Sequence, residues 1–241
     1  MDTGIYVALS KEIGIFRDME VTSNNLANMT TSGYDGSSLL FKDYLVPDTT
    51  KEGKVAYAND IATYRDTSQG ALTTTNAPLD AAIEGRGYFV VQTPLGPRYT
   101  RNGNFKVSPA GILETSDGYP VMDQGNQNIT FDDVDRVVQI RDDGTISVDN
   151  TDRAILKIVQ FDNEQLMERV GNTMYKSDAK PKPAENFTVV NGMLESSNIK
   201  PVLALTHMMY VARSVSDTAT YMSTIDTLSR KASDTLAKVY S

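Results

Sequence analysis

The chain has 241 residues, of which 40% are hydrophobic, and a formal net charge of −8. This hydrophobic content excludes wholesale disorder, and the length allows one large domain or one domain with appended elements. The negative charge argues against binding to a phosphate backbone, so we expect no nucleic-acid partner. The chain has no cysteine, which excludes disulfides, thiol catalysis and cysteine-ligated metals.

The first 15 residues lack the features of a secretory signal. They contain Asp2 and Glu12, with no basic segment and no continuous apolar run, so we expect no cleaved signal peptide. No stretch reaches the roughly 18 apolar residues that cross a bilayer, and we expect no direct membrane insertion. The missing cysteines suit both the cytosol and export without oxidative folding, which leaves the compartment open.

An N-terminal helix of about two dozen residues is predicted from a narrow apolar seam. Apolar residues recur at alternating spacings of three and four, and Glu12 and Ser23 take the two remaining places. A period near 3.5 is typical of a helix that packs along another helix, although a helix lying on a globular core remains the alternative. The apolar seam residues are Ile5, Leu9, Phe16, Met19 and Leu26.

This helix is predicted to end in an asparagine-rich stretch. Asn24, Asn25 and Asn28 surround Leu26, and asparagine side chains terminate helices because they bond nearby backbone groups. Gly33 can supply the positive φ that a reversal after a helix often needs. The residues alone therefore indicate a helix C-terminus followed by a turn.

The pattern between residues 34 and 71 is weaker. Two apolar clusters, Leu39–Phe41 and Tyr44–Val46, precede an exposed loop at Pro47–Lys54. Two β-prone pieces follow, at Val55–Tyr57 and Ile61–Tyr64. We predict an extended or hairpin-like connector here.

An all-β region is predicted from about residue 70 to 177, where turn signals recur every eight to twelve residues. Asn102-Gly103, Asp117-Gly118 and Asp143-Gly144 suit tight hairpin turns, which need positive φ at their central residues. This spacing predicts a sandwich or partial barrel of hairpins. The β-prone runs between the turns are 88–91, 98–100, 105–107, 137–140, 145–148 and 154–161.

A second helix is predicted from Val202 almost to the last residue, with Asn198 as a candidate cap and Pro201 in the first turn. A helix near 40 residues would be about 55–60 Å long, too long to lie on a compact domain of this size. Its seam has two apolar lines with small residues on and beside them. The apolar positions are Met208, Val215, Met222 and Leu236, then Val211, Ile225 and Val239; the small ones are Ala212, Ser216, Ala219, Ser229 and Ala232.

The predicted fold class is α+β, with long N- and C-terminal helices that form a coiled-coil-like pair and a central all-β domain of hairpins. The expected domains are 1–33 for the N-terminal helix, 34–71 for the connector, 72–190 for the β domain and 191–241 for the C-terminal helix. Apolar surface left over after the helices pair would need other subunits.

No catalytic or metal site emerges from the residue pattern. His207 is the single histidine, so we expect a solvated or interface side chain and no zinc site. The acids Asp132, Asp133 and Asp135, with Asp142 and Asp143 beyond, lack the alternation of a calcium loop. Residues 85–87, Gly-Arg-Gly, lack the third glycine and following helix of a dinucleotide loop. The numerous carboxylates leave a glycosidase-like pair open, but nothing selects one. We expect no cofactor.

Several ordered motifs resemble one family. Residues 24–28, Asn-Asn-Leu-Ala-Asn, followed by Thr30-Thr31-Ser32-Gly33-Tyr34, resemble the signature of axial proteins of the bacterial flagellum. Blocks at 76–89, 99–105 and 117–121 and the Leu-Glu-Ser-Ser-Asn run at 194–198 also resemble that family in order and spacing. The chain is thus similar to flagellar basal-body rod proteins over nearly its whole length. Asp35 is a departure, because relatives often carry an aromatic residue and Lys after this glycine.

The resemblance implies a structural subunit of the rod and no enzymatic activity. It favours a proximal-rod member through residues 4–11 and 40–47, with a distal-rod member as the alternative. It further implies export through the flagellar type III apparatus, terminal helices that form an inner tube crossing the periplasm, and transmission of torque. The implied partners are copies of the chain and other rod proteins of the proximal and distal rod.

A hypothesis from another class is a soluble β-domain enzyme or carbohydrate-binding protein with helical dimerisation arms. It predicts a ligand site in the β domain, whereas the assembly hypothesis predicts subunit contacts along both helices. The candidate subunit-interface residues are Ile5, Leu9, Phe16, Met19, Asn24, Asn25, Leu26, Asn28, Leu205, Met208, Ala212, Val215, Ala219, Met222, Ile225 and Leu236.

Overall fold

A computed structural model describes residues 2–47, 54–131, 138–149, 151–171 and 173–239. The side chains of Ile5 and Leu236 lie outside the described part, as do Asp132, Asp133 and Asp135 and most of the predicted loop at 47–54. The chain divides into two compact units. We call Met1–Ala27, Ser37–Arg65 and Lys200–Ser241 the helical unit, and Asn28–Gly36 with Asp66–Ile199 the β unit.

The helical unit consists of two helices and one long hairpin. Helix α1 (Asp2–Ala27) contacts helix α2 (Pro201–Val239) and both strands of the hairpin, β1 (Ser37–Pro47) and β2 (Lys54–Arg65). The two strands are antiparallel, and their register shifts once, between Leu40 and Phe41. A two-stranded sheet is marginal by itself, so packing against α1 supports the hairpin.

The β unit contains the other strands and a short 3₁₀ helix, Glu164–Leu166. The first six of its strands are β3 (Leu72–Thr74), β4 (Ala81–Gly85), β5 (Tyr88–Thr93), β6 (Gly96–Thr100), β7 (Phe105–Val107) and β8 (Leu113–Thr115). The next five are β9 (Val138–Ile140), β10 (Thr145–Val148), β11 (Thr151–Ile155), β12 (Ile158–Gln160) and β13 (Glu168–Val170). The last four are β14 (Met174–Lys176), β15 (Lys182–Pro183), β16 (Phe187–Asn191) and β17 (Met193–Glu195).

These strands form several small sheets around one large one. The large sheet has six antiparallel strands in the order β13-β14-β6-β5-β12-β15. A three-stranded sheet has the order β11-β10-β9, and β7 pairs with β8. The pairs β4–β16 and β3–β17 join strands from opposite ends of the region. These long-range pairs close the β unit on itself.

Strand β5 lies between the two hydrophobic clusters of the β unit. Side chains alternate along a strand, so Phe89 and Val91 point into the larger cluster while Tyr88 and Val90 point into the smaller one. The larger cluster also contains Phe105, Leu113, Val121, Ile146 and Leu156, and the smaller one Tyr99, Phe161 and Tyr175. The β unit therefore has its own core.

The predicted terminal helices and central β region are present, but the coiled-coil-like pair is wrong. Helix α1 divides its contacts between α2 and the hairpin. Two predicted seam residues, Leu9 and Phe16, are 44% and 50% exposed, whereas the buried positions between residues 9 and 27 of α1 are Gly14 and Thr22. Periodicity reveals that a helix has an apolar face but not which surface that face meets. The β region is also not built of hairpins alone, because β4–β16 and β3–β17 are long-range pairs.

Within the described part of the chain, neither helix has an apolar stretch of the length that a bilayer span requires.

Gly33 occupies a position that no other residue fits. Its φ is +67°, and a Cβ built on it would lie 2.4 Å from the backbone nitrogen of Asn102. Its N–H donates to the carbonyl of Glu195 at 2.8 Å. The predicted reversal after α1 thus requires glycine for its backbone angle and for the close approach of another segment.

The Gly33→Ala variant should lose about 3 kcal/mol of unfolding free energy, because strain in φ adds to a clash with backbone atoms. Gly118→Ala is the matched control. Gly118 also has a positive φ, +84°, but nothing lies within 4 Å of its added Cβ, so about 1 kcal/mol is expected. Urea unfolding followed by the near-UV signal of the buried tyrosines measures both. Equal losses would contradict the clash.

Candidate assembly surfaces

Helix α1 carries exposed apolar side chains on an outer face within the helical unit. Thr22 and Gly14 are buried and Asp18 and Asn25 are partly buried, as are the apolar residues Ile15, Met19, Val21 and Leu26, so small, polar and apolar groups all make internal contacts. The apolar side chains Leu9, Ile13 and Phe16 are exposed. Exposed apolar groups at helical spacing form a stripe suited to contact with another chain.

Helix α2 has a mainly apolar inner line and a separate set of exposed apolar side chains. Its inner line is buried at Val211 and Thr218 and partly buried at Met208, Val215, Met222 and Ile225. A second set of large apolar side chains is exposed, and a solvated helix face would not normally carry so many. This set comprises Val202, Leu203, Leu205, Met209, Tyr210, Tyr221 and Leu228.

The structure distributes the predicted interface residues over three environments. Exposed are Leu9, Phe16, Asn24, Leu205, Ala212 and Ala219. Partly buried are Met19, Asn25, Leu26, Met208, Val215, Met222 and Ile225. Asn28 is buried, and the side chains of Ile5 and Leu236 are not described. The exposed members are available to another subunit, whereas the partly buried residues of α2 already lie on its inner line.

Asn25 holds the start of the hairpin. Its side-chain amide donates to the carbonyl of Ser37 at 2.7 Å, and its amide oxygen accepts from the N–H of Ser37 at 3.0 Å. The side chain thereby pairs with Ser37 as a neighbouring strand would. Sequence reasoning missed this role, because a residue twelve positions away supplies the partner.

Asn28 belongs to the β unit and stabilises the turn there. Its backbone carbonyl accepts from the N–H of Thr31 at 3.1 Å, and its side-chain oxygen accepts from the Thr31 hydroxyl at 3.3 Å. The first bond satisfies a backbone carbonyl just after the helix, whereas the second joins two side chains.

Three segments of the chain, residues 33–36, 66–70 and 195–198, meet in the β unit. We call this region the junction. Asn198 accepts from the N–H of Gly36 at 2.8 Å and donates to the carbonyls of Asp66 and Ser68 at 2.8 and 3.0 Å. The N–H of Asp66 donates to the carbonyl of Gly36. Asn198, a candidate helix cap from sequence, thus connects backbone segments.

Glu195 forms an ion pair at the junction. One carboxylate oxygen accepts from the N–H of Gly70 at 2.9 Å, and the other lies 3.4 Å from Nε of Arg101. Both side chains are buried. The Arg101 guanidinium also donates to the carbonyls of Gly85 and Gly87 at 2.9 and 3.0 Å. Burial raises the pKa of the Glu195 carboxyl, while the charge of Arg101 opposes that rise.

A second buried cluster accommodates Asp35. The Asp35 carboxylate accepts from the Tyr175 hydroxyl at 3.1 Å, and its carbonyl accepts from Arg169. The guanidinium of Arg169 lies 4.3 Å from the ring centroid of Tyr34, a favourable cation–π distance. Asp35, which departs from the family motif, therefore has hydrogen-bond partners within the β unit.

The other candidate sites have structural explanations. Residues 85–87 comprise the last residue of β4 and the turn to β5. Asp143 accepts from the N–H of Thr145 at 2.8 Å, and this backbone hydrogen bond lowers the pKa of its carboxyl. In the described ranges, no group of three or more His, Asp or Glu side chains is placed to hold a metal ion.

The surfaces described above fit a protein that acts by assembly, and comparison with known proteins identifies the class. Residues 82–148 match the family described as flagellar hook protein FlgE/F/G D1 domain, and residues 190–235 match flagellar basal body rod FlgEFG protein C-terminal. Both matches fall on segments that carry the motifs at 76–89, 99–105, 117–121 and 194–198.

Whole-length relatives agree with these matches. The flagellar basal-body rod protein FlgF of Caulobacter vibrioides is 33% identical over 244 residues, covering 99% of this chain and 100% of the relative. FlgF of Rhizobium meliloti is 30% identical over 239 residues, covering 98% of each. FlgG of Bacillus subtilis is 29% identical over 252 residues, covering 92% of this chain and 94% of the relative.

The chain belongs to the flagellar basal-body rod protein family. The resemblance stated from the sequence is confirmed, and the chain is a structural protein of this class and not an enzyme. Family membership decides against the enzyme hypothesis.

The stability contributed by Glu195 should fall as pH rises. The folded state holds the Glu195 proton more tightly than the unfolded chain, where the pKa is about 4.3. Raising the pH from that value through the raised folded pKa removes stability, because the unfolded state then loses its proton first. Glu195→Gln is the reference, since it keeps an acceptor for Gly70 and cannot titrate.

We expect the unfolding free energy of the wild type, minus that of Glu195→Gln, to decrease between pH 4 and pH 8. Urea unfolding at a series of pH values measures this difference. A difference that grew with pH would mean that Arg101 outweighs desolvation.

Proposed function

We propose that the chain is an FlgF-type subunit of the proximal flagellar rod, and that it joins copies of itself and other rod proteins through the exposed apolar faces of α1 and α2. Membership of the rod family establishes a structural role in the flagellar basal body. The observation that carries the finer proposal is the row of large apolar side chains left exposed on both helices.

The distribution of apolar surface supports assembly through the helices. The β unit encloses most of its large apolar residues in two clusters, with Leu95, Leu166 and Ile155 exposed. Most of the exposed large hydrophobic residues among those described lie on α1 and α2, including Phe16, Leu203, Leu205 and Tyr210. Burying such side chains against another chain contributes roughly 25 cal/mol per Å² of apolar surface. Contacts through the helices would therefore bury the most apolar surface and stabilise the assembly most.

The proposed assembly is helical. Helices contributed by successive subunits stack into an inner tube that crosses the periplasm, and the resulting shaft transmits torque. Delivery through the flagellar type III export apparatus is part of the same proposal. These features rest on membership of the rod family, and the exposed helix faces provide the surface that stacking requires.

A charge on the outer face of α2 should block assembly. Leu205 is 47% exposed, so Leu205→Asp has little effect within the subunit but places a carboxylate where the proposal puts an apolar contact. Burying that charge would be costly. We expect loss of incorporation into purified basal bodies and loss of spreading in soft agar when the variant replaces the chromosomal copy.

Leu95→Asp is the matched control, because Leu95 is 81% exposed in the β5–β6 turn of the β unit. This variant should incorporate and spread normally. Met222→Asp, on the inner line of α2, should block incorporation as well, and should also weaken the helical unit. Normal incorporation of Leu205→Asp would overturn the proposed role of the outer face.

A further inference from the structure

The inner face of the helical unit contains a polar contact that the apolar seams do not explain. Nε2 of His207 on α2 lies 3.0 Å from a carboxylate oxygen of Asp18 on α1. The Thr22 hydroxyl donates to the same oxygen at 3.4 Å. Asp18 is the more enclosed partner, with its side chain 23% exposed against 49% for His207.

This contact borders a cavity of about 280 Å³ within the helical unit. Its lining comes from α1, β1 and α2, and includes Thr22, Asn25, Ser37 and Ala204 beside the two partners. A polar group at one position along a helix contact restricts the register of that contact, because any shift leaves the group without its partner.

We propose that Asp18 and His207 form a protonation-sensitive clasp that sets the register of α1 against α2 within one subunit. The neutral imidazole donates a hydrogen bond to the Asp18 carboxylate. The protonated imidazolium adds an ion pair at the same distance, so the clasp is tighter in the protonated form. The proposal is independent of the assembly through the outer faces.

The charges around His207 favour this dependence. From α1 the facing charge is Asp18, and on α2 the ring of Tyr210 stacks on the imidazole with centroids 6.4 Å apart. The strand β1 contributes Ser37, Ser38 and Leu39 to the cavity, and none of these is ionisable. No cation among the cavity-lining residues competes for the Asp18 carboxylate.

His207 is the single histidine of the chain, which makes the test direct. Hydrogen exchange of the full chain is measured at pH 5.5 and 7.5, with rates corrected for the intrinsic pH dependence of exchange. We expect protection of residues 14–27 and 200–211 to be about two- to fivefold higher at pH 5.5, as for a partly exposed ion pair.

Four variants distinguish charge from shape. His207→Gln should show the lower protection at both pH values, and His207→Lys, which carries a permanent charge, should retain the higher protection at pH 7.5. Asp18→Asn should abolish the pH difference. Asp226→Asn is the matched control, because Asp226 pairs with Arg230 on the exposed surface of α2, and it should preserve the difference.

Loss of the difference in His207→Gln and Asp18→Asn, with retention in Asp226→Asn, supports the clasp. A wild type without the difference, or a difference that persists in His207→Gln, overturns it. If the difference in protection between the two pH values is lost in His207→Gln but persists in Asp18→Asn, another group is the partner of His207. That result also overturns the proposal. Since His207 is half exposed, the two His207 variants decide the question even if Asp18→Asn does not fold.

Discussion

The β unit depends on the hydrogen bonds by which Glu195 and Asn198 connect three backbone segments at the junction. Each side chain satisfies groups from segments more than 100 positions away in the sequence. The backbones approach so closely that a Cβ on Gly70 would lie 1.8 Å from the carbonyl oxygen of Ser196. Backbone groups that are partly removed from water need partners, and the two side chains provide them here for the N–H groups of Gly36 and Gly70.

The ion pair of Glu195 and Arg101 contributes to this arrangement through its geometry more than through net stability. Desolvation of a buried pair can exceed its Coulombic gain, in keeping with the raised pKa of Glu195. Arg101 simultaneously satisfies the carbonyls of Gly85 and Gly87 at the turn before β5. Because β5 contributes side chains to both hydrophobic clusters, the pair links the junction to the core strand of the β unit.

The helical unit combines an apolar inner line on α2, where Val211 is buried, with directional polar contacts on the inner face of α1. Asn25 binds Ser37, Asp18 binds His207, and Thr22 is buried between them along α1. Directional contacts of this kind define one register, whereas apolar contacts tolerate several. A subunit organised in this way keeps its internal geometry while leaving Leu9, Ile13 and Phe16 on the surface.

The residue pattern by itself determined both terminal helices, the β character of the middle of the chain and membership of the rod family. Local signals are sufficient for these features: the spacing of apolar residues in the helices, Asn-Gly and Asp-Gly turns, and ordered motifs. Tertiary structure decided which face of α1 is buried. A period of 3.5 shows that apolar residues share one face, but it does not specify whether that face contacts the rest of the subunit or solvent. Tertiary structure also decided the roles of Asn25, Glu195 and Asn198, since their partners are distant in sequence and a hydrogen bond leaves no periodic trace in the residues between.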